Sequence, residues 1–301
     1  MKTNWKNPIL LIIAAAIWGF AFAFQSVGME YVEPFTFNCI RNLIGTVVLL
    51  PVIWLMGKWK KKDETSGEEE TVTQNTKQLF LGGICCGAIL FISSGAQQIG
   101  IQYTTVGKAG FITALYIIIV PIIGILLGKK NRILLWISVL IAIIGFYFLT
   151  MIGESTFTKG DAWVLLCAFV FALHILCVDY FAPKVDCVKM SCIQFAVCGL
   201  LSGIVMFITE TPSVDNIGHA AVALLYTGVM SSGVAYTFQI LGQKDYHPTV
   251  AALLMSLESV FAALGGWIIL KQSLSLAEGA GCVLIFIGII LAQLPEKKVS
   301  P

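Results

Sequence analysis

The sequence predicts an all-α integral membrane protein of ten transmembrane helices, arranged as two inverted five-helix repeats with both termini inside the cell. Three observations predict it. Ten apolar runs, each long enough to cross a bilayer, fill nearly all of the 301 residues. Basic residues gather on alternate connections, and the two halves of the chain can be laid over each other. The composition agrees, with 57% hydrophobic and 12% charged residues and a mean hydropathy of +0.87. A spanning helix needs about 20 mainly apolar residues, because the hydrocarbon layer is roughly 30 Å thick and an α-helix rises ~1.5 Å per residue. That layer holds no water to bond a free N–H or C=O, so runs of this length read as helices and not strands. Cytosolic enzymes, nucleic-acid binders and secreted disulfide domains do not have this composition.

The first span, Pro8–Gly28, carries Trp18 and Phe22 one turn apart, with Gln25 continuing their face. Lys2 and Lys6 ahead of an apolar run with Ala21-Phe-Ala23 imitate a secretory signal. The run is long for a signal core, however, and a second span follows almost at once. That second span, Pro34–Met56, holds Arg41 roughly 10–12 Å from its outer end. The linker Gly57–Lys77 carries a basic run followed by an acidic one, KWKKKDETSGEEE, and reads as a flexible cytoplasmic loop with interfacial lysines. The third span, Gln78–Gln98, contains Gly83/Gly87 and closes on Gln97-Gln98. The fourth, Thr104–Leu127, places Lys108 just inside its outer end and Tyr116 near mid-depth. The fifth is Ile133–Met151, and the sixth, Gly160–Phe181, has His174 in the inner half of the bilayer. The seventh, Val188–Ile208, contains Gly199/Gly203, and the eighth, His219–Gly242, has Tyr236 with Gln239. The ninth, Thr249–Leu270, carries Glu258 about 15 Å from its cytoplasmic start, close to the midplane. The tenth, Leu274–Leu294, brings the chain back to the cytoplasm. The GxxxG pairs, Gly124/Gly128 among them, read as close helix packing within the monomer.

Orientation follows from the basic residues, which stay on the cytoplasmic side. With the N-terminus inside, 15 of the 19 Lys and Arg lie in cytoplasmic segments, among them Lys2, Lys6, Lys58, Lys60, Lys61, Lys62, Lys129, Lys130 and Arg132. Lys159 and Lys271 fall outside, while Arg41 and Lys108 lie within spans. The nine cysteines are scattered, with no CxxC and no zinc-site spacing, and read as small packing residues. No GxSxG, HExxH or P-loop is present, so no catalytic residue, metal site or cofactor is expected. Cys167 and His174, seven residues apart, are the faint candidate for a membrane-embedded enzyme.

The halves repeat. Ser93-Ser94-Gly95 recurs as Ser231-Ser232-Gly233, and Lys108–Tyr116 lies over Val250–Glu258 at an offset of 142. An offset of 153 relates the first two spans to the sixth and seventh, setting Trp18 on Phe171, Ala21 on His174 and Arg41 on Gln194. Five spans per repeat is an odd number, so residues 153–301 must enter the membrane inverted relative to residues 1–152. Secondary transporters use this architecture, with the substrate site near the midplane between repeats.

On these features the chain resembles the EamA-type branch of the drug/metabolite transporter superfamily. The resemblance is carried by Ile17–Phe24 (IWGFAFAF), Gln97–Tyr116 and Ser256–Gln272, and it spans essentially the whole chain. It implies export of an amino acid, a drug or another small metabolite. Ser259 and Lys271-Gln272 stand where the family's second repeat often has a proline and an acidic residue. The resemblance therefore carries neither a helix break there nor a coupling acid at the outer end of the ninth span.

Polar residues at membrane depth supply the site. A carboxylate near the midplane costs roughly 2.5–3.5 kcal/mol on insertion scales, so such groups face a cavity or a partner. Glu258 is suited to carrying a proton or binding a cationic group, or else is locked to Ser, Tyr or backbone groups for packing. Tyr116, its repeat mate, would make that polar centre lopsided in favour of an amine. Arg41 can hold a carboxylate in a fork, or pair with Glu30 or Glu33. His174 can titrate near neutral pH, or bond within the core. Lys108 either snorkels to the interface or gates substrate. The expected function is a secondary transporter of the plasma membrane, binding its substrate among Trp18, Arg41, Tyr116, His174, Tyr236 and Glu258. Proton coupling is an option, and the partners are the small-molecule substrate and the lipid bilayer, with no nucleic acid. The chain is expected to be a monomer or homodimer. The rival is a non-transporting membrane sensor or assembly protein, whose midplane polar groups would all be paired around no central void.

Overall fold

In the computed structural model every long element is a helix, built from sequence that offers no strand alternation. The structure describes residues 6–63, 76–129, 132–150, 157–244, 246–269 and 275–294. Most of the basic–acidic linker, the 152/153 repeat boundary and Lys271-Gln272 lie outside these residues. The helices run α1 (Lys6–Gly28), α2 (Pro34–Asp63), α3 (Thr76–Ile101), α4 (Val106–Ala114), α5 (Tyr116–Leu126), α6 (Ile133–Thr150), α7 (Lys159–Phe181) and α8 (Cys187–Thr209). They continue as α9 (Val214–His219), α10 (Ala221–Leu225), a π-helical segment (Tyr226–Ala235), α11 (Tyr236–Gln243), α12 (Pro248–Met255), α13 (Glu258–Ile269) and α14 (Leu276–Gln293). Among the described residues, eight helical stretches are long and apolar enough to cross a membrane. Two shorter apolar stretches, Ile133–Phe148 and Gly279–Ala292, stand where the fifth and tenth spans are expected.

Local chemistry explains the helix ends. Thr158 and Asp161 form a reciprocal capping box at the start of α7. Asp186 caps α8 by accepting from the Val188 and Lys189 amides. The first amides of α2, on Phe35 and Thr36, donate to the distant Glu210 carboxylate at 2.7 and 2.6 Å. α5 stops at Gly128, whose φ of 81° suits glycine. There Lys129 N bonds Gly124 O and Gly128 N bonds Ile125 O, closing a Schellman motif.

Three spans are not continuous α-helices. The fourth divides at Leu115 and the ninth at Ser256-Leu257, while the eighth passes through the π segment. The break in the ninth corrects the expectation drawn from Ser259, since it needs no proline. Leu257 N and Ser259 N each bond a carbonyl three residues back, and the Ser256 hydroxyl donates to Leu253 O at 2.7 Å. These tight bonds replace the regular ladder and bend the helix. Leu115 N and Ile118 N do the same in the fourth span, and Pro121 inside α5 leaves a carbonyl without its usual donor.

Lipid is as apolar as leucine, so helices in a bilayer associate through close approach of small residues and through buried polar bonds. A Cβ on Gly83 would sit 2.5 Å from Ile193, and one on Gly87 2.7 Å from Gln194 O, where α3 meets α8. Gly199 and Gly203 meet Leu43 and Cys39 where α8 meets α2. Side chains such as Val47, Leu81, Leu140 and Phe207 point outward, where lipid accommodates them.

The connections gather at two ends of the bundle. At one end Asn7 bonds Lys244 O, Arg132 donates to Ala292 O and Leu294 O, and Lys129 pairs with Asp179. This is the terminal end, because Asn7 and Leu294 border the two chain termini. At the other end Thr158 bonds Tyr103 O, Thr211 N bonds Glu33, and Tyr31 stacks on His219.

Candidate substrate-binding site

A small cavity lies within the bundle, open to the centre of a water molecule over about 20 Å³. That is room for roughly one water. α1 contributes Trp18, Phe22 and Gln25 to its wall, and α2 contributes Arg41. Ser93, Ser94 and Gln97 come from α3 and Thr113 from α4, joined where Gln97 Nε2 donates to Thr113 Oγ1 at 3.4 Å. Cys167 and Phe171 of α7, Ser231 of the π segment, Tyr236 of α11 and Glu258 of α13 complete it. A π segment widens the helix locally and often marks a functional site.

The cavity carries one cation and one carboxyl group. Arg41 is 3% exposed, and its Nη1 donates to Gln25 Oε1 at 2.9 Å. Its guanidinium carbon stands 5.9 Å from the Phe37 ring centre, and its Nε has no partner. Gln25 thus takes the place expected of Glu30 or Glu33, and Glu33 instead accepts from Thr211 N. Glu258, also 3% exposed, is the first residue of α13, directly after the helix break. Its Oε1 has no partner. The Tyr116 hydroxyl stands beside this carboxyl, yet it too lacks a hydrogen bond of acceptable geometry. Among the described residues no ion pair joins Arg41 to Glu258. Trp18 Nε1 is also without a partner. Buried polar atoms are normally bonded, and each one left free needs an explanation.

Aromatic rings form the remaining surface. Trp18 meets Tyr236 at 4.7 Å and Phe171 at 6.0 Å between centroids, both edge to face. Behind Phe171 lies His174, stacked on it at 5.5 Å and joined through Nε2 to Gln194 Oε1 at 3.1 Å.

Of the six residues singled out from the sequence, Trp18, Arg41, Tyr236 and Glu258 line the cavity. Tyr116 and His174 stand one layer back, both fully buried, each packed against Phe171. His174 bonds Gln194, so two side-chain bonds cross helices here: α1 to α2 through Gln25–Arg41, and α7 to α8 through His174–Gln194. Lys108 does not snorkel. It pairs with Asp161 at 2.8 Å, with side-chain exposures of 6% and 0%, a buried carboxylate on the neighbouring helix. Among the described residues the hydrogen bond of His174 goes to Gln194 and not to Cys167, and no cluster of three metal-ligating side chains is present. Sequence reasoning passed over Thr113, Cys167 and Phe171 as lining residues. For Phe171 the signal was its place as repeat mate of Trp18. The recurring Ser-Ser-Gly tripeptide likewise marked the two stretches that bring Ser93, Ser94 and Ser231 to the wall.

Comparison with known proteins agrees with this architecture. The model of the EamA-like transporter family matches the chain twice, over residues 5–151 and 158–294. A protein of Archaeoglobus fulgidus described as an uncharacterized transporter is 30% identical over 286 residues, covering 94% of this chain and 84% of its own length. The uncharacterized transporter YoaV of Bacillus subtilis is 22% identical, over 95% of this chain and 96% of its own. A crystal structure 19% identical in sequence superposes with a TM-score of 0.76, covering 97% of both chains, which shows a shared fold. With two matches that together span nearly its whole length, the chain belongs to the EamA-like transporter family and is a multi-pass membrane transporter.

Proposed function

We propose that the protein is a secondary transporter that exports a small zwitterionic or cationic metabolite, an amino acid or a drug-like amine, across the plasma membrane. Residues 1–152 and 153–301 act as two inverted repeats that expose the central cavity alternately to each side, with both chain termini in the cytoplasm. One observation carries the reading: Arg41 and Glu258 face the same cavity, each with a polar atom free, and neither neutralises the other. A zwitterion supplies what both lack, its carboxylate to the guanidinium fork and its ammonium to the Glu258 carboxylate. Trp18, Phe171 and Tyr236 between them favour an ammonium or an apolar substituent. An inert bundle would have these midplane groups paired.

The test is a stabilisation screen on purified protein, because a ligand that binds only the folded state raises its apparent stability. Amino acids should outrank their decarboxylated amines on the wild type. Arg41→Ala should erase that preference, a change of about 10–100-fold if the charged hydrogen bonds contribute roughly 1.5–3 kcal/mol. If Arg41→Ala weakens acid and amine equally, Arg41 is structural and the zwitterion reading fails.

A further inference from the structure

Beyond the cavity wall, a buried charged pair ties the two halves of the chain together. Lys108 of α4 and Asp161 of α7 meet at 2.8 Å in a nearly dry setting. Asp161 is fixed on its own helix, where its Oδ2 accepts from Thr158 N at 2.8 Å and its amide donates to the Thr158 hydroxyl. It also accepts from the Thr104 hydroxyl, one residue before the Thr105 cap of α4. The backbones touch beside the pair: a Cβ on Gly160 would lie 2.7 Å from Gly100 O, and the Thr158 hydroxyl donates to Tyr103 O. The pair stands at the cavity's edge of the bundle. Thr113 lies five residues farther along α4 and Cys167 six residues farther along α7, both in the cavity wall. Roughly 7–9 Å of helix separates them from the pair.

A buried ion pair adds little net stability over an apolar contact, yet removing one partner leaves a desolvated charge and is strongly unfavourable. Such a contact has two comfortable states, paired and dry or parted and hydrated. We propose that Lys108–Asp161 is the gate that closes the central cavity toward the end of the bundle opposite the termini, opening when α4 and α7 separate. The proposal rests on the central cavity being the transport site. At the terminal end the repeat offsets put Val250 and Pro8 in the matching places. Neither carries a charge, so the Lys108–Asp161 pair has no counterpart at those two positions.

Cys167 is a native thiol in the cavity wall, so its modification by a maleimide, mapped by peptide mass spectrometry on protein in detergent, reads access to the cavity without any substrate. Lys108→Met and Asp161→Asn each remove one charge, and asparagine keeps the oxygen that caps α7. Each should speed Cys167 modification by about tenfold or more. Lys108→Arg should stay near the wild-type rate, and Cys86, buried on α3 outside the cavity wall, should not change in any variant. If Lys108→Met does not fold, Asp161→Asn alone decides. Wild-type rates in the charge-removing variants overturn the gate, as does a rise at Cys86 in step with Cys167, which would mean general loosening of the fold. Because no substrate enters this measurement, the gate can fail while the zwitterion reading stands, and the reverse.

Discussion

Glu258 reaches the cavity from the first turn of α13, directly after the break in the ninth span and beside the Tyr116 hydroxyl. Proton-coupled transport needs a cavity group whose charge changes during the cycle, and Glu258 is the carboxyl group in this wall. Glu258→Gln is nearly isosteric and should leave the protein folded and inserted. Uptake driven by a proton gradient into vesicles should fall to background, while substrate exchange without a gradient persists. An unchanged pH profile in the glutamine variant would make Glu258 a packing residue. Charges and amphipathic aromatics such as Arg41, Glu258, Trp18 and Tyr236 were legible in the sequence because each is costly or conspicuous in an apolar span. Thr113 was not, since threonine is ordinary in membrane helices and only three-dimensional placement turns it toward the cavity, while Ser93 and Phe171 were marked only by the alignment of the two halves. Tyr116 and His174 stood out for the same reason as Arg41, yet packing holds them one layer behind the wall.

Broken helices place the site's chemistry. Tyr116 and Glu258 each begin the second half of a divided span, and they stand at the offset of 142 at which the sequence aligns its two halves. Irregular backbone at membrane depth is tolerated where it is buried in protein or lines a cavity, and Ser256 and Leu257 are both buried. Neither break carries glycine or proline at its turn, which is why hydropathy and residue propensity read both spans as continuous. The spans themselves were legible because about 20 consecutive apolar residues have few alternatives. α1 braces the second break: a Cβ on Gly19 would lie 2.2 Å from the Phe261 Cβ and 2.6 Å from Glu258 O. Gly19→Ala should therefore force α1 from α13 and destabilise the protein by about 1–3 kcal/mol, the usual scale of overpacking. Gly107→Ala, where nothing stands within 4 Å, should be close to neutral. Equal melting temperatures for the two variants would mean that α1 yields freely at this contact.

For the molecule as a whole, the distribution of basic residues predicts that both termini and the Gly57–Lys77 linker face the cytoplasm, as the proposed ten-span inverted arrangement allows. Reporter fusions at the C-terminus and within the linker should both report cytoplasm, and an external report from either would remove the inverted arrangement with it. The cavity volume has a kinetic consequence. A space of about 20 Å³ is smaller than any amino acid, so on the proposed reading capture needs a more open conformer than the one described. Association would then wait for that expanded form, and the apparent affinity would be weakened by the fraction of molecules that adopt it. Observed binding rates should then level off as ligand concentration rises, at a ceiling set by how often the bundle opens and not by how often ligand collides with it.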